Sequence, residues 1–282
     1  MCLIVVAWRA RPGLPLVVAA NRDEWRDRPA QAAHWWRGRG TSRPEDPPPI
    51  LAGRDLQAGG TWMGVTRGGR FAAVTNYRDP ADKRSTARSR GTLVTEFLES
   101  DAPPLAFAHA LAPRAGDYNG FNLILGDGES LAYFGSREGA ARAIEPGVHG
   151  LSNHLLDEPW PKVQLGREAM AAALEDDDPS GRLFAMLSDP RGAPDDRLPN
   201  TGVGIEWERR LAAPLITGTD YGTRASTVLT ISDGGAVYFE ERTRTPEGAN
   251  AGVSQYRFAA HAASSMAAPK TDIDQYPGVG RE

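Results

Sequence analysis

The first 24 residues read Met1-Cys2-Leu3-Ile4-Val5-Val6-Ala7-Trp8-Arg9-Ala10-Arg11-Pro12-Gly13-Leu14-Pro15-Leu16-Val17-Val18-Ala19-Ala20-Asn21-Arg22-Asp23-Glu24. Two short apolar runs, Leu3 to Trp8 and Leu14 to Ala20, flank the turn residues Arg11-Pro12-Gly13, which predicts a β-hairpin. An antiparallel strand with one wet face alternates apolar and polar residues. Leu3-Ile4-Val5-Val6 and Leu16-Val17-Val18-Ala19 do not alternate, so both faces of their sheet are expected to be covered.

Three more hairpins follow by the same reasoning. Thr61 to Thr66 and Arg70 to Asn76 flank Arg67-Gly68-Gly69; Phe121 to Leu125 and Leu131 to Phe134 flank Asp127-Gly128; Thr227 to Ile231 and Ala236 to Glu240 flank Asp233-Gly234-Gly235. Helical segments are predicted over Thr92 to Glu99, Pro104 to Leu111, Trp160 to Leu174 and Pro179 to Leu187. In the third, Trp160, Val163, Met170 and Leu174 share a narrow stripe that should pack down onto a sheet. Two antiparallel sheets packed together, each with helices on its outer face, satisfy the doubly apolar strands. The expected architecture is therefore α+β, a four-layer αββα sandwich.

With 282 residues, 40% of them hydrophobic, the chain can bury one substantial core. Residues 1–258 are read as one domain. Pro47-Pro48-Pro49 and the stretch from Asp189 to Pro199 read as surface loops. Residues 259–282, rich in alanine, serine, proline and charge, read as a disordered tail. The net charge is -4, and its positive share is almost all arginine scattered among acidic residues, which leaves no nucleic-acid footprint. Arg9 and Arg11 interrupt the first apolar run before it reaches the length of a signal peptide or membrane span. A soluble, unexported, cytoplasmic protein without an integral membrane segment is expected; the oligomeric state is not legible. The single cysteine excludes an internal disulfide and a cysteine-based zinc cluster.

That cysteine sits directly after the initiator. A free cysteine is most often a small buried hydrophobe, but Met1 before a small side chain is the situation in which the initiator is trimmed. Trimming leaves a thiol and an α-amine on one residue. An α-amine titrates at about 7.7 to 8.0, so near neutral pH it can take the thiol proton and serve as general base. Polar groups gather at strand ends: Asn21-Arg22-Asp23-Glu24 after the second strand, Asn76-Tyr77-Arg78 after the fourth, Asn153 in Gly150-Leu151-Ser152-Asn153-His154, and Arg224 just before a late strand. Taken singly, each reads as turn chemistry or a solvated strand end.

Together with Ala52-Gly53-Arg54-Asp55, Gly59-Gly60-Thr61-Trp62 and Gly222-Thr223-Arg224, these features span residues 1 to about 258 in order. The sequence resembles the NRDE family, also called the transport and Golgi organisation protein 2 family, whose tetrad is present as Asn21-Arg22-Asp23-Glu24. That family is similar to the choloylglycine hydrolases and penicillin V acylases, which have the αββα N-terminal-nucleophile fold and cleave linear amides. The resemblance implies Cys2 as nucleophile, Asp23 as the group that holds its thiol and amine, and Asn153 as a side-chain oxyanion donor. It implies a second donor from a backbone N–H at Asn76 or Tyr77, and Arg224 as the charge that favours thiolate. Asn21, Arg22 and Tyr77 fall with the substrate-binding groups. The acylases carry an arginine just before their Asn-x-Asp, where this chain has Ala20. Strand alternation turns Arg22 away from Asn21 and Asp23, so the activating arginine is open.

Other signals are weaker. The histidines at 34, 109, 149, 154 and 261 show no i, i+4 metal pair, and no metal site is expected. Gly150-Leu151-Ser152-Asn153-His154 lacks the second glycine of a nucleophile elbow, and Gly202-Val203-Gly204 lacks the rest of a dinucleotide fingerprint. Two functions remain, with a purely structural partner protein as a weaker third. One is an amidohydrolase acting on a carbon–nitrogen bond of a small-molecule amide. The other, implied by the resemblance, is a carrier of haem or an acyl lipid on the same scaffold, with no resident cofactor but haem as a ligand. In that case Cys2, His34, His154 or Tyr77 are the candidate iron ligands.

Overall fold

The computed structural model describes residues 2–37, 49–81, 84–85 and 87–260. In chain order its elements begin with β1 (Cys2–Arg11), β2 (Leu14–Trp25), β3 (Ala30–Trp36), β4 (Ile50–Asp55), β5 (Met63–Thr66) and β6 (Phe71–Asn76). Helices α1 (Gly91–Leu98) and α2 (Pro104–Leu111) precede β7 (Phe121–Gly126), β8 (Leu131–Gly135), β9 (Ala140–Ala143) and β10 (Gly147–Leu151). Then come α3 (Pro161–Ala173), α4 (Ser180–Leu187), α5 (Ile205–Leu211), β11 (Tyr221–Ile231), β12 (Ala236–Arg244) and β13 (Asn250–Ala259).

The strands form two antiparallel sheets. One has the order β10-β1-β2-β11-β12-β13 and the other β3-β4-β5-β6-β7-β8-β9. All four expected hairpins are present as adjacent pairs, β1–β2, β5–β6, β7–β8 and β11–β12. The first turns at Gly13, whose φ of 83° favours glycine.

The doubly apolar strands are explained by what each face meets. Ile4, Val6, Val18 and Ala20 point into the gap between the sheets, where they pack against Val65, Phe71, Ala73 and Ile124. Leu3, Val5, Val17 and Ala19 point the other way, into a layer with Val163, Met170, Leu183 and Leu187 of α3 and α4. On the far side, Leu93, Phe97, Ala108 and Leu111 of α1 and α2 cover Ala72, Val74, Leu123 and Leu125. The result is the four-layer αββα sandwich. Helix α3 lies so close to its sheet that a Cβ on Gly166 would be 2.6 Å from Val5 Cγ2, and one on Gly150 of β10 would be 2.6 Å from Val163 Cγ1.

Several elements differ from the sequence reading. Strand β2 runs through the tetrad to Trp25, and β11 begins at Tyr221 instead of Thr227, because the backbones of these polar ends pair with each other, Trp25 with Tyr221 and Asp23 with Thr223. Ladder bonds need no apolar side chain, so strand ends extend past the apolar runs. Strands β3, β4, β9, β10 and β13 have no long apolar run; β9 and β13 are edge strands with largely exposed residues. Helix α5 is short and charged, and it buries Glu208 and Leu211. The expected tail begins at Ala259, which closes β13; from residue 261 it lies outside the described residues, as do Pro47 and Pro48.

Candidate active site

The register of β1 on β2 decides what surrounds the thiol. Cys2 pairs with Arg22, and directly opposed residues of an antiparallel pair point to the same face. Arg22 therefore turns away from Asn21 and Asp23, as alternation requires, and the face it turns to is that of Cys2. The next residue of that row is Ala225 of β11. Cys2 and Arg22 open on a cleft of about 480 Å³ between the sheets, also lined by Asp23, Glu24, Asn76 and Arg224. Cys2 is 7% exposed. Burial pushes its thiol up, aided by the Asp23 charge, while a hydrogen bond from the Asp23 backbone and the Arg22 charge pull it down.

Arg22 lies 3.7 Å from Glu24, and Arg224 donates to the carbonyls of Trp25, Arg26 and Arg28 at 2.8, 3.2 and 3.1 Å. Arg224 is thus tied to the end of β2 while lining the cleft. Arg28, Arg54, Arg88, Arg90 and Arg244 line it as well, against the carboxylates of Glu24, Asp55 and Glu241. Glu241 is 3% exposed and accepts the Ala33 N–H at 2.7 Å. Burial raises its carboxyl to about 7.

Behind the sheet lies a second polar group. The Asp23 side chain accepts from the Thr223 hydroxyl at 2.7 Å, and burial pushes its pKa up against the pull of Lys162 and Arg78. Arg78 pairs with Glu208 of α5 at 2.5 Å, both side chains 4% exposed. Glu208 also accepts from the Thr201 hydroxyl and N–H at 2.6 and 2.9 Å. Sequence reasoning missed Lys162, Glu208 and Glu241, and gave Arg78 no role. Lys162 flanks the apolar stripe of α3, and nothing in its local sequence marks it.

The remaining candidates make the following contacts in the folded chain. The Asn153 amide donates to the Asn76 carbonyl at 2.9 Å, and its own carbonyl accepts the Arg78 N–H at 2.7 Å. The Tyr77 N–H donates to the Gly120 carbonyl at 2.8 Å, which leaves Asn76 as the member of that pair facing the cleft. The Tyr77 ring packs on His154 with centroids 5.0 Å apart. Asn21 is fully buried on the helical side, where its amide donates to the Leu187 and Pro214 carbonyls, both at 2.8 Å. Its contacts tie β2 to the end of α4 and to the segment after α5. Of the four candidate iron ligands, Cys2 lines the cleft and His34, Tyr77 and His154 do not. Among the described residues, no group of three or more His, Cys, Asp or Glu is arranged to hold a metal ion, and no helix is long and apolar enough to cross a membrane.

A four-layer αββα sandwich whose single cysteine begins a central strand and opens on a polar inter-sheet cleft defines the class of protein. Comparison narrows the class. The family model for Transport and Golgi organisation 2 matches residues 1–246. The Transport and Golgi organization protein 2 homolog of Bos taurus is 37% identical over 265 residues, 86% of this chain and 93% of its own length. The homolog of Homo sapiens is 34% identical with the same coverage. The chain belongs to the Transport and Golgi organisation 2 family. Among solved structures, the C2A mutant of conjugated bile acid hydrolase from Clostridium perfringens is similar over 92% of this chain and 98% of its own, at 11% identity and a TM-score of 0.40. At that level the strand order of the chain itself, not the match, carries the fold.

Proposed function

We propose that the chain is an N-terminal-nucleophile amidohydrolase that cleaves a linear amide, with Cys2 as nucleophile once Met1 is removed. The observation that carries this reading is the Cys2 thiol at the start of β1, facing Arg22 across the strand pair and open to a cleft of about 480 Å³. Arg22 stands in for the arginine missing at position 20. It lies two residues further along β2, on the same face, directly opposite the sulfur.

In the proposed reaction the α-amine of Cys2 takes the thiol proton and the thiolate attacks the amide carbonyl. The oxyanion is held by the Asn76 side chain, which Asn153 fixes through the Asn76 carbonyl. The C–N bond then breaks as the ammonium returns its proton to the leaving amine, and an acyl-thioester remains on Cys2. Water, deprotonated by the same amine, attacks the thioester; the carboxylic acid leaves and the thiol is restored. The cleft's arginines outnumber its carboxylates, which supports a substrate that also bears an anionic group.

The test combines intact-protein mass spectrometry with a panel of linear amides. The expected outcome is a mass lacking Met1, turnover of at least one anionic amide, and its loss in Cys2→Ala. Retention of Met1 in natively made protein, or turnover that survives Cys2→Ala, refutes the reading.

A further inference from the structure

Lys162 is one of three lysines in a chain that otherwise uses arginine. It is 3% exposed, and its Nζ is buried with no hydrogen-bond partner. It stands in the first turn of α3, just after Pro161, where the helix dipole disfavours a cation. It also shares the i, i+4 stripe of Gly166, the residue seated on Val5 of β1. The close approach at Gly166 fixes the helix on the strand. Lys162 thus lies about one 5.4 Å turn further along, where the charges of Asp23 and Cys2 act on it.

A buried ammonium without a hydrogen-bond partner is costly unless a charge compensates it. The titratable groups that act on Lys162 are Cys2 of β1, Asp23 of β2, Arg78 after β6 and Glu208 of α5. Tyr221 of β11 is coupled to Asp23 and Cys2 in turn. Arg78 is matched by Glu208 at 2.5 Å. The remaining opposite charges are Lys162 and Asp23. With these four ionised, the group is neutral before the α-amine of Cys2 is counted.

We propose that Lys162 is a positioning residue that balances the charge of Asp23 and thereby keeps the Cys2 α-amine in its neutral, proton-accepting form. This rests on the hydrolase reading for its purpose, though not for its measurement. Asp23 can orient the amine by a hydrogen bond, but a carboxylate without a second cation would hold it as an ammonium, and an ammonium cannot take the thiol proton. Burial brings Lys162 down to about 8, so it is still cationic at pH 7.

The experiment uses full-length protein whose Met1 is verified as removed. The Cys2 α-amine is titrated by competitive acetylation with acetic anhydride, read by mass spectrometry of the N-terminal peptide, in wild type, Lys162→Met and Lys162→Arg. The expected result is an apparent pKa about one unit higher in Lys162→Met, hence roughly tenfold less neutral amine near pH 7, with the wild-type titration restored in Lys162→Arg. Identical titrations in all three, with near-ultraviolet circular dichroism unchanged, overturn the proposal. Should Lys162→Met fail to fold, the wild type decides by the titration of Lys162 in its NMR spectrum: an ε-amine already neutral at pH 7 overturns the proposal, and one still charged supports it. The two readings fail separately. Cys2-dependent turnover with an unshifted amine removes only the role of Lys162, whereas a shifted amine without turnover of any amide removes only the hydrolase.

Discussion

The Arg78–Glu208 pair joins the segment after β6 to α5 beneath the candidate site, and Glu208→Ala tests how much that link holds. Both side chains are 4% exposed and their atoms are 2.5 Å apart. Removing the carboxylate takes from Arg78 its ion-pair partner in a region that already holds Lys162, and removes the acceptor of two Thr201 hydrogen bonds. Breaking a buried pair from one side typically costs about 3–5 kcal/mol. For a domain of this size each kcal/mol moves Tm by about 2–4 °C, so the expected drop is roughly 6–20 °C. The assay is reversible denaturant unfolding, with thermal unfolding alongside. Replacing both partners, Arg78→Met with Glu208→Leu, should recover much of the loss, since an apolar pair of similar volume is often no worse than the ionic one. A Glu208→Ala protein within about 1 kcal/mol of wild type would refute the reasoning, because the Arg78 charge would then have found solvent or another partner at little cost.

Three further perturbations test other parts of the structure. Glu241 titrates at about 7 in the folded chain against 4.5 when unfolded, so between those values the folded state keeps a proton that the unfolded state has lost. Its contribution is therefore full below about pH 4.5 and falls as pH rises to 7, by roughly 3 kcal/mol in total. Glu241→Gln, which does not titrate, should gain on wild type across that window; an equal difference at pH 5 and pH 8 in urea unfolding would contradict this. Beside the cleft-lining Thr61, a Cβ on Gly60 would lie 2.6 Å from the Gly91 backbone. Gly60→Ala should cost about 1–3 kcal/mol by overpacking. By contrast Gly181→Ala, in open space within α4, should stabilise by about 0.5–1 kcal/mol, and calorimetry of the two variants distinguishes them.

The layers of the fold were legible because each strand reports its own burial. Leu3-Ile4-Val5-Val6 must be covered twice whatever lies above and below, and the period of two that separates Ile4 and Val6 from Leu3 and Val5 is a local property of extended backbone. The leading thiol and the tetrad were legible for the same reason, since they are adjacent in the chain to the runs that place them. Tertiary structure alone decided which faces meet. The β1–β2 register set Arg22 opposite Cys2, and the fold joined the Asn153 side-chain amide to the Asn76 carbonyl. Lys162 and Glu208 carry no local signal, and Arg78, quoted within a polar strand end, gives no hint of its partner, because their partners stand far off in sequence and side-chain periodicity says nothing of which distant helix covers a given strand end. What gathers them is the packing of α3 on β1 and β10, where small residues such as Gly166 and Gly150 leave room for close approach, together with the reach of Glu208 from α5 to Arg78.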